Sequence, residues 1–232
     1  MIRLLMLILL MVSSLCQAQY SNLQLYEAYT TRDMSVWERY IDSADWDNLD
    51  AEQRKQLLNY EYGFSAYMLG VDVEKGKKLI ELFASHLEDM KSELPEERYC
   101  AYLASVYTYR LALDKSQLMK YAKAIFSNIQ RAMELNSNDP FVLSMQGNVE
   151  FYSPFGSKKT ALEYFQKADS LYGVVGADYE RWNRRAVQMT YIQCLHKQRR
   201  GDEAIALCEK LLTEEPNNVN FQQLLEELHA AD

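Results

Sequence analysis

Apolar residues recur along this chain at helical spacing, and polar capping residues separate the runs. Met34, Trp37, Tyr40 and Ile41 follow Asp33 on one stripe. Asp50, with Gln53 three residues on, reads as a capping box that opens a helix to about Leu69. Asp72 opens the next, with Leu79, Phe83 and Leu87 on one face, and Pro95 suits the start of a helix carrying Tyr99, Leu103, Val106 and Leu111. Asp114 or Ser116 precedes Ala122, Ile125, Ile129, Ala132 and Leu135. Asp139-Pro140 begins a helix that Ser153-Pro154 ends, and Ser157 caps the one holding Ala161, Phe165, Ala168 and Leu171. Asp178 leads into a helix to about Gln198, Asp202 into Ile205, Cys208, Leu211 and Leu212, and Asn217-Asn218 into Phe221, Leu224, Leu225 and Leu228. The pattern predicts about eleven helices. Tyr99 to Tyr109 is the most strand-like run, yet its apolar residues fit three helical turns better than strict alternation. With 8 Gly and 4 Pro in 232 residues, the chain also lacks the turns that an all-β fold needs. The fold class expected is all-α.

The helices come in pairs of similar size, which calls for a search for repeats. Asp202-Glu203-Ala204-Ile205-Ala206-Leu207-Cys208 runs on to Pro216-Asn217-Asn218, and Lys159-Thr160-Ala161-Leu162-Glu163-Tyr164-Phe165 matches its first part, with Gly147 in the helix before. An earlier unit ends Leu135-Asn136-Ser137-Asn138-Asp139-Pro140, and the first contains Gly63, then Gly76, Ile80 and Phe83. Two helices that cross closely need Gly or Ala at the contact. On these residues, about 50 to 218, the chain resembles the tetratricopeptide repeat (TPR) family, and specifically exported TPR proteins of Gram-negative bacteria through Gly147 to Lys159. It departs from the family in two ways. Ser137 stands where the pattern has proline, and Gly76, Ile125, Ala161 and Ala204 recur at 49, 36 and 43 residues, a spacing that would suit HEAT-like pairs as well. The resemblance implies a right-handed α-solenoid: an N-terminal hairpin (about 20–48), pairs at about 50–91, 95–136, 139–172 and 178–215, and a capping helix at 219–230. Such a stack carries an extended concave surface.

Met1-Ile2-Arg3, the apolar run Leu4 to Val12 and the stretch Ser13 to Ala18 form a leader of export type, with a cut expected after Ala18. The run is shorter than the roughly 20 apolar residues that span a bilayer. Residues 19–232 are therefore expected to be exported, to the periplasm first of all, with lipid attachment at Cys16 or full secretion as alternatives, and with no membrane span once the leader is removed. Cys100, Cys194 and Cys208 then remain, too few for a disulfide framework. Cys194 and Cys208 could face each other across a hairpin or be two small core residues.

The net charge of −8 argues against a nucleic-acid partner, because that affinity rests on Lys and Arg contacts to phosphate. His86, His196 and His229 have no partner at a metal-ligand spacing, and no nucleophile elbow or phosphate loop is present, so neither enzyme chemistry nor a cofactor or metal is expected. The 17 tyrosines, several on the first helices of pairs, are core filler or the lining of a groove. Function is then expected to be binding of a protein or peptide partner in the concave groove. An envelope assembly subunit that uses its edges or convex face is the alternative. Extending the repeat pattern back from Ala204 puts Ile192 at the close contact and Met189, Gln193 and His196 on the groove face. The same register places Asn148 and Tyr152 in the preceding pair, and Ser105 and Tyr109 in the one before that. That face has no Lys/Arg clamp, so an extended segment held through amides, hydroxyls and aromatic contacts is expected.

Overall fold

The computed structural model describes residues 20–231; the leader over 1–18, its cut and Cys16 lie outside them. The described residues are all-α. A hairpin of α1 (Asn22–Thr31) and α2 (Ser35–Ser43) precedes α3 (Ala51–Val71) and α4 (Val73–Asp89), α5 (Glu96–Leu113) and α6 (Leu118–Leu135), α7 (Pro140–Tyr152) and α8 (Lys158–Val175), then α9 (Arg181–Lys197) and α10 (Gly201–Glu214). The last helix, α11 (Val219–Ala231), closes the stack on α10.

Most boundaries are set by the expected caps. Asp50 and Gln53 form a reciprocal capping box, and Asp72, Asp139 and Ser157 each accept a backbone N–H three residues on. Four starts differ. α6 begins at Leu118 after a 3₁₀ turn (Lys115–Gln117) that takes the Asp114 cap. α2 begins at Ser35 without a side-chain cap; a single 3₁₀ turn (Asp178–Glu180) precedes α9; and Asp202 sits in the first turn of α10, where its charge complements the helix dipole.

The close crossings fall where the repeat pattern put them. A Cβ on Gly147 would stand 2.6 Å from the Phe165 ring, so only glycine lets α7 approach α8 this closely. Ala161, Ala204 and Ile192 are fully buried. Gly63 serves a different purpose: a Cβ there would meet Trp182 at 2.5 Å and Trp37 at 2.8 Å. Trp37 of the hairpin, Tyr60 of α3 and Trp182 of α9 make one edge-to-face cluster, with Trp37 4.8 Å from Tyr60 and 5.1 Å from Trp182 between ring centroids. The N-terminal hairpin is thereby packed on the first and last pairs at once. It also reaches α11, where Asn220 donates to the Tyr29 carbonyl. The three cysteines are buried free thiols, and Cys194 and Cys208 each lie against a carbonyl, of Lys158 and Phe221, instead of each other.

One buried carboxyl–imidazole pair lies apart from the repeat contacts. Glu61 on α3 is fully buried; its Oε1 meets His86 Nδ1 of α4 at 2.7 Å, and its Oε2 has no partner. Trp46 stacks flat on that imidazole at 3.8 Å and shields the pair from water. Burial pushes the Glu61 carboxyl above the ordinary carboxylate range, against the opposing pull of His86.

Two outcomes follow for stability. Ala161→Leu or Ala204→Leu overpacks a crossing and is expected to cost about 1–3 kcal/mol, whereas Glu209→Leu on the exposed face of α10 costs less than about 0.5 kcal/mol; urea unfolding of the three variants checks the register. His86→Ala leaves a buried carboxyl without its partner and is expected to cost about 1–3 kcal/mol at pH 7. A carboxyl whose folded pKa is raised favours the folded state below that pKa and loses the contribution as pH rises through it. The His86→Ala deficit should therefore shrink as pH falls from 7 towards the carboxylate range, and Glu61→Gln added to it should remove the pH dependence.

Candidate functional site

The first helices of the four pairs, α3, α5, α7 and α9, form the inner wall, and they converge at their N-terminal ends. Arg98, in the first turn of α5, pairs with Asp139, the cap of α7, and with Glu180, just before α9. Burial pulls the Arg98 guanidinium down, and the Glu180 and Asp139 carboxylates more than reverse it. Next to this triad, Asn59 of α3 and Asn183 of α9 exchange two amide hydrogen bonds of 3.0 Å, and Tyr102 of α5 donates to the Asn59 oxygen. The inner helices of the first and last pairs therefore touch directly. The expected long concave surface is closed at this end, and the N-terminal hairpin covers part of what remains. The reason is the polar and aromatic residues at Asn59, Asn183, Trp37 and Trp182, which the repeat pattern does not encode.

Towards the C-terminal halves of these helices the wall opens into a pocket of about 420 Å³, within the range of small-ligand sites. Tyr62 and Ala66 come from α3, Ser105, Thr108 and Tyr109 from α5, and Met145, Asn148 and Tyr152 from α7. Leu118, Ala122, Ile125 and Phe126 of α6 complete it. At 13 residues α7 is the shortest inner helix; Pro154, which also lines the pocket, prevents its continuation, and the missing turn leaves the space. No described residue lining the pocket is charged. A second, smaller chamber of about 40 Å³ shares Tyr62 and Asn148 with it and is bounded by Ser144 and by Trp182, Asn183 and Thr190 of α9.

Four of the seven residues nominated from the repeat register meet in this pocket. Ser105 is buried and donates to the Ala101 carbonyl, beside the Met145 sulfur. The Tyr109 hydroxyl donates to the Tyr62 carbonyl at 3.1 Å, and the two rings stack at 6.1 Å. Burial raises the Tyr62 phenol to about 12 and Tyr109 well beyond the ordinary tyrosine value, so both are neutral donors at any physiological pH. Asn148 is half-buried at the junction of the two chambers, and Tyr152 stands at the rim, 67% exposed. The other three are elsewhere. Met189 lies under the hairpin, where the Tyr29 hydroxyl meets its sulfur at 3.7 Å, and half-buried Gln193 and His196 line neither chamber.

The register did not nominate Tyr62, Met145 or the four α6 residues. Met145 stands one turn before Asn148, so the same helical face implied it. The α6 residues carried no such signal, because the family pattern places second helices outside the groove. Exposed Leu118 and Phe126 (46%), in an amphipathic helix, are the trace a sequence reader could have followed.

No protein-family model matches the chain, and no curated protein matches it in sequence. Solved structures that share its architecture include a haemophore and a TPR protein. The HusA haemophore from Porphyromonas gingivalis superposes with a TM-score of 0.55 over 76% of this chain and 90% of that one, at 17% identity. TTC0263, a thermophilic TPR protein of Thermus thermophilus, superposes with a TM-score of 0.56 over 90% of this chain and 95% of that one, also at 17% identity. At such identity the likeness concerns the fold, and the fold is an all-α repeat of tetratricopeptide type.

Proposed function

We propose that the protein is an exported, non-catalytic binding protein that holds a protein or peptide partner by an apolar side chain seated in the inner-wall pocket. The observation that carries this reading is the apolar rim. Leu118, Phe126 and Tyr152 are exposed at the mouth of the pocket, and Met119 and Phe155, next to pocket residues in sequence, are more exposed still. Apolar surface gathered around a concavity marks a place that another molecule covers. The TPR-type fold supports a role in protein interaction. Export rests on the leader sequence alone.

A second reading is carriage of a small apolar molecule in the same pocket. It is favoured by the uncharged wall, and the haemophore among the structural neighbours supports it.

The test places a photocrosslinking phenylalanine at Met119, beside the rim, or at Glu209 on the exposed face of α10, in the protein's own host. Capture of a defined partner from position 119 and not from 209 is expected, with mature protein that begins at Gln19 by intact mass. Ala122→Trp, which fills the pocket, should cut that capture at least tenfold without lowering the thermal midpoint. Capture from position 209 alone, or capture insensitive to Ala122→Trp, would favour the assembly subunit; a retained Met1 or a lipid on Cys16 would contradict soluble export.

A further inference from the structure

Trp182, in the wall of the smaller chamber, has an indole donor with nothing to donate to. The residue is 5% exposed, yet its Nε1–H has no hydrogen-bond partner. Trp37, the neighbouring indole of the same cluster, does have one, the Leu25 carbonyl at 2.7 Å. Ser144 and Asn183, the other buried side-chain donors of the chamber's wall, each have a partner. Ser144 donates to Phe141, Thr190 to Ala186, and Asn183 is tied to Asn59. A buried N–H left unpaired is costly, so an acceptor that reaches it is favoured strongly over one that stays in the large chamber. The 40 Å³ available exceeds the roughly 10–15 Å³ that a water-sized oxygen group needs.

Charge decides the rest of the ligand's chemistry. No described residue lining either chamber is acidic or basic, although a quarter of the chain is charged. A carboxylate, phosphate or ammonium drawn into this wall would lose its hydration with no counter-charge to replace it. Resting on the small-molecule reading of the pocket, we propose that the two chambers form one site for an uncharged hydrocarbon body carrying a hydrogen-bond acceptor at its leading end, such as a ketone, quinone or ester. The body fills the large chamber against Tyr62, Tyr109, Met145 and Phe126. The acceptor passes Asn148, whose amide offers a second donor at the junction, and takes the Trp182 N–H.

The probe is 6-propionyl-2-(dimethylamino)naphthalene, a neutral fluorescent ketone, compared with the analogue whose carbonyl is replaced by methylene and with the anionic anilinonaphthalene sulfonate. Wild-type protein is expected to bind the ketone saturably at one site and the methylene analogue at least fivefold more weakly. Trp182→Phe keeps an aromatic ring and deletes the N–H, and should abolish that preference, with Ala122→Trp blocking both probes. In ¹⁵N spectra of the wild type, the Trp182 indole N–H resonance should move with the ketone and stay in place with the analogue, a readout that survives if Trp182→Phe fails to fold. A ketone preference unchanged in Trp182→Phe, or an unmoved indole resonance, would overturn the acceptor assignment while leaving the pocket standing. Probe binding insensitive to Ala122→Trp would overturn the pocket itself. Equal affinity for the sulfonate in an Ala122→Trp-sensitive manner would overturn the requirement for a neutral ligand.

Discussion

The Arg98 guanidinium is the point on which the inner wall depends. It lies at the start of α5 and reaches both the cap of α7 and the turn that begins α9, so one side chain fixes the N-terminal ends of three successive inner helices. Asp139 carries two duties at once: one oxygen caps α7 through Val142 N–H, and the other takes Arg98. Glu180 likewise gives one oxygen to Arg98 and the other to the Ala177 N–H. A triad of this kind adds little net stability, because taking the charges out of water offsets their attraction, but stranding one member costs about 3–5 kcal/mol. Its contribution is geometric. Exposed pairs such as Lys77–Glu74 contribute at most about 1 kcal/mol and fix nothing.

Pinning one end of the inner helices determines where space remains at the other. The Asn59–Asn183 exchange and the Trp37–Trp182 contact close the wall near the pinned end, and the early stop of α7 opens it beyond Asn148. The pocket therefore lies between helices whose spacing is fixed elsewhere, which is the condition for a largely preformed binding site. Its wall contains hydroxyls, amides, a thioether and aromatic rings and no charge, a surface suited to recognising shape and single hydrogen bonds. Helices that converge in this way also explain why the structure has a chamber and not the long open groove expected of a regular repeat.

Much of the architecture was legible because it rests on local rules. Asp50 with Gln53, Asp139 before Pro140, and Ser157 mark helix starts through bonds that span three residues, and Gly147 and Ala161 mark crossings through the size of one side chain. The pocket wall was half legible. Ser105, Tyr109, Asn148 and Tyr152 follow from the register of an inner helix, which is a matter of periodicity. Met189 was placed on the groove face by the same rule and lies instead beneath Tyr29, because partners 160 residues apart leave no periodic trace. Gly63 read as a helix-crossing residue; the two indoles it makes room for come from 26 residues before it and 119 after. The α6 wall was hidden for a further reason: short α7 exposes a second helix that a regular repeat would keep outside.

The central claim is that the inner-wall pocket is where this protein binds. Methyl-labelled NMR during titration with cyclohexanol, a small neutral probe, tests it most directly, because Met145, Ile125, Leu118 and Val149 line the pocket while Val71, Val174 and Val175 are exposed elsewhere. Saturable shifts confined to the first group are the predicted result. Shifts that do not saturate, or that centre on Val71, Val174 and Val175, would contradict the account.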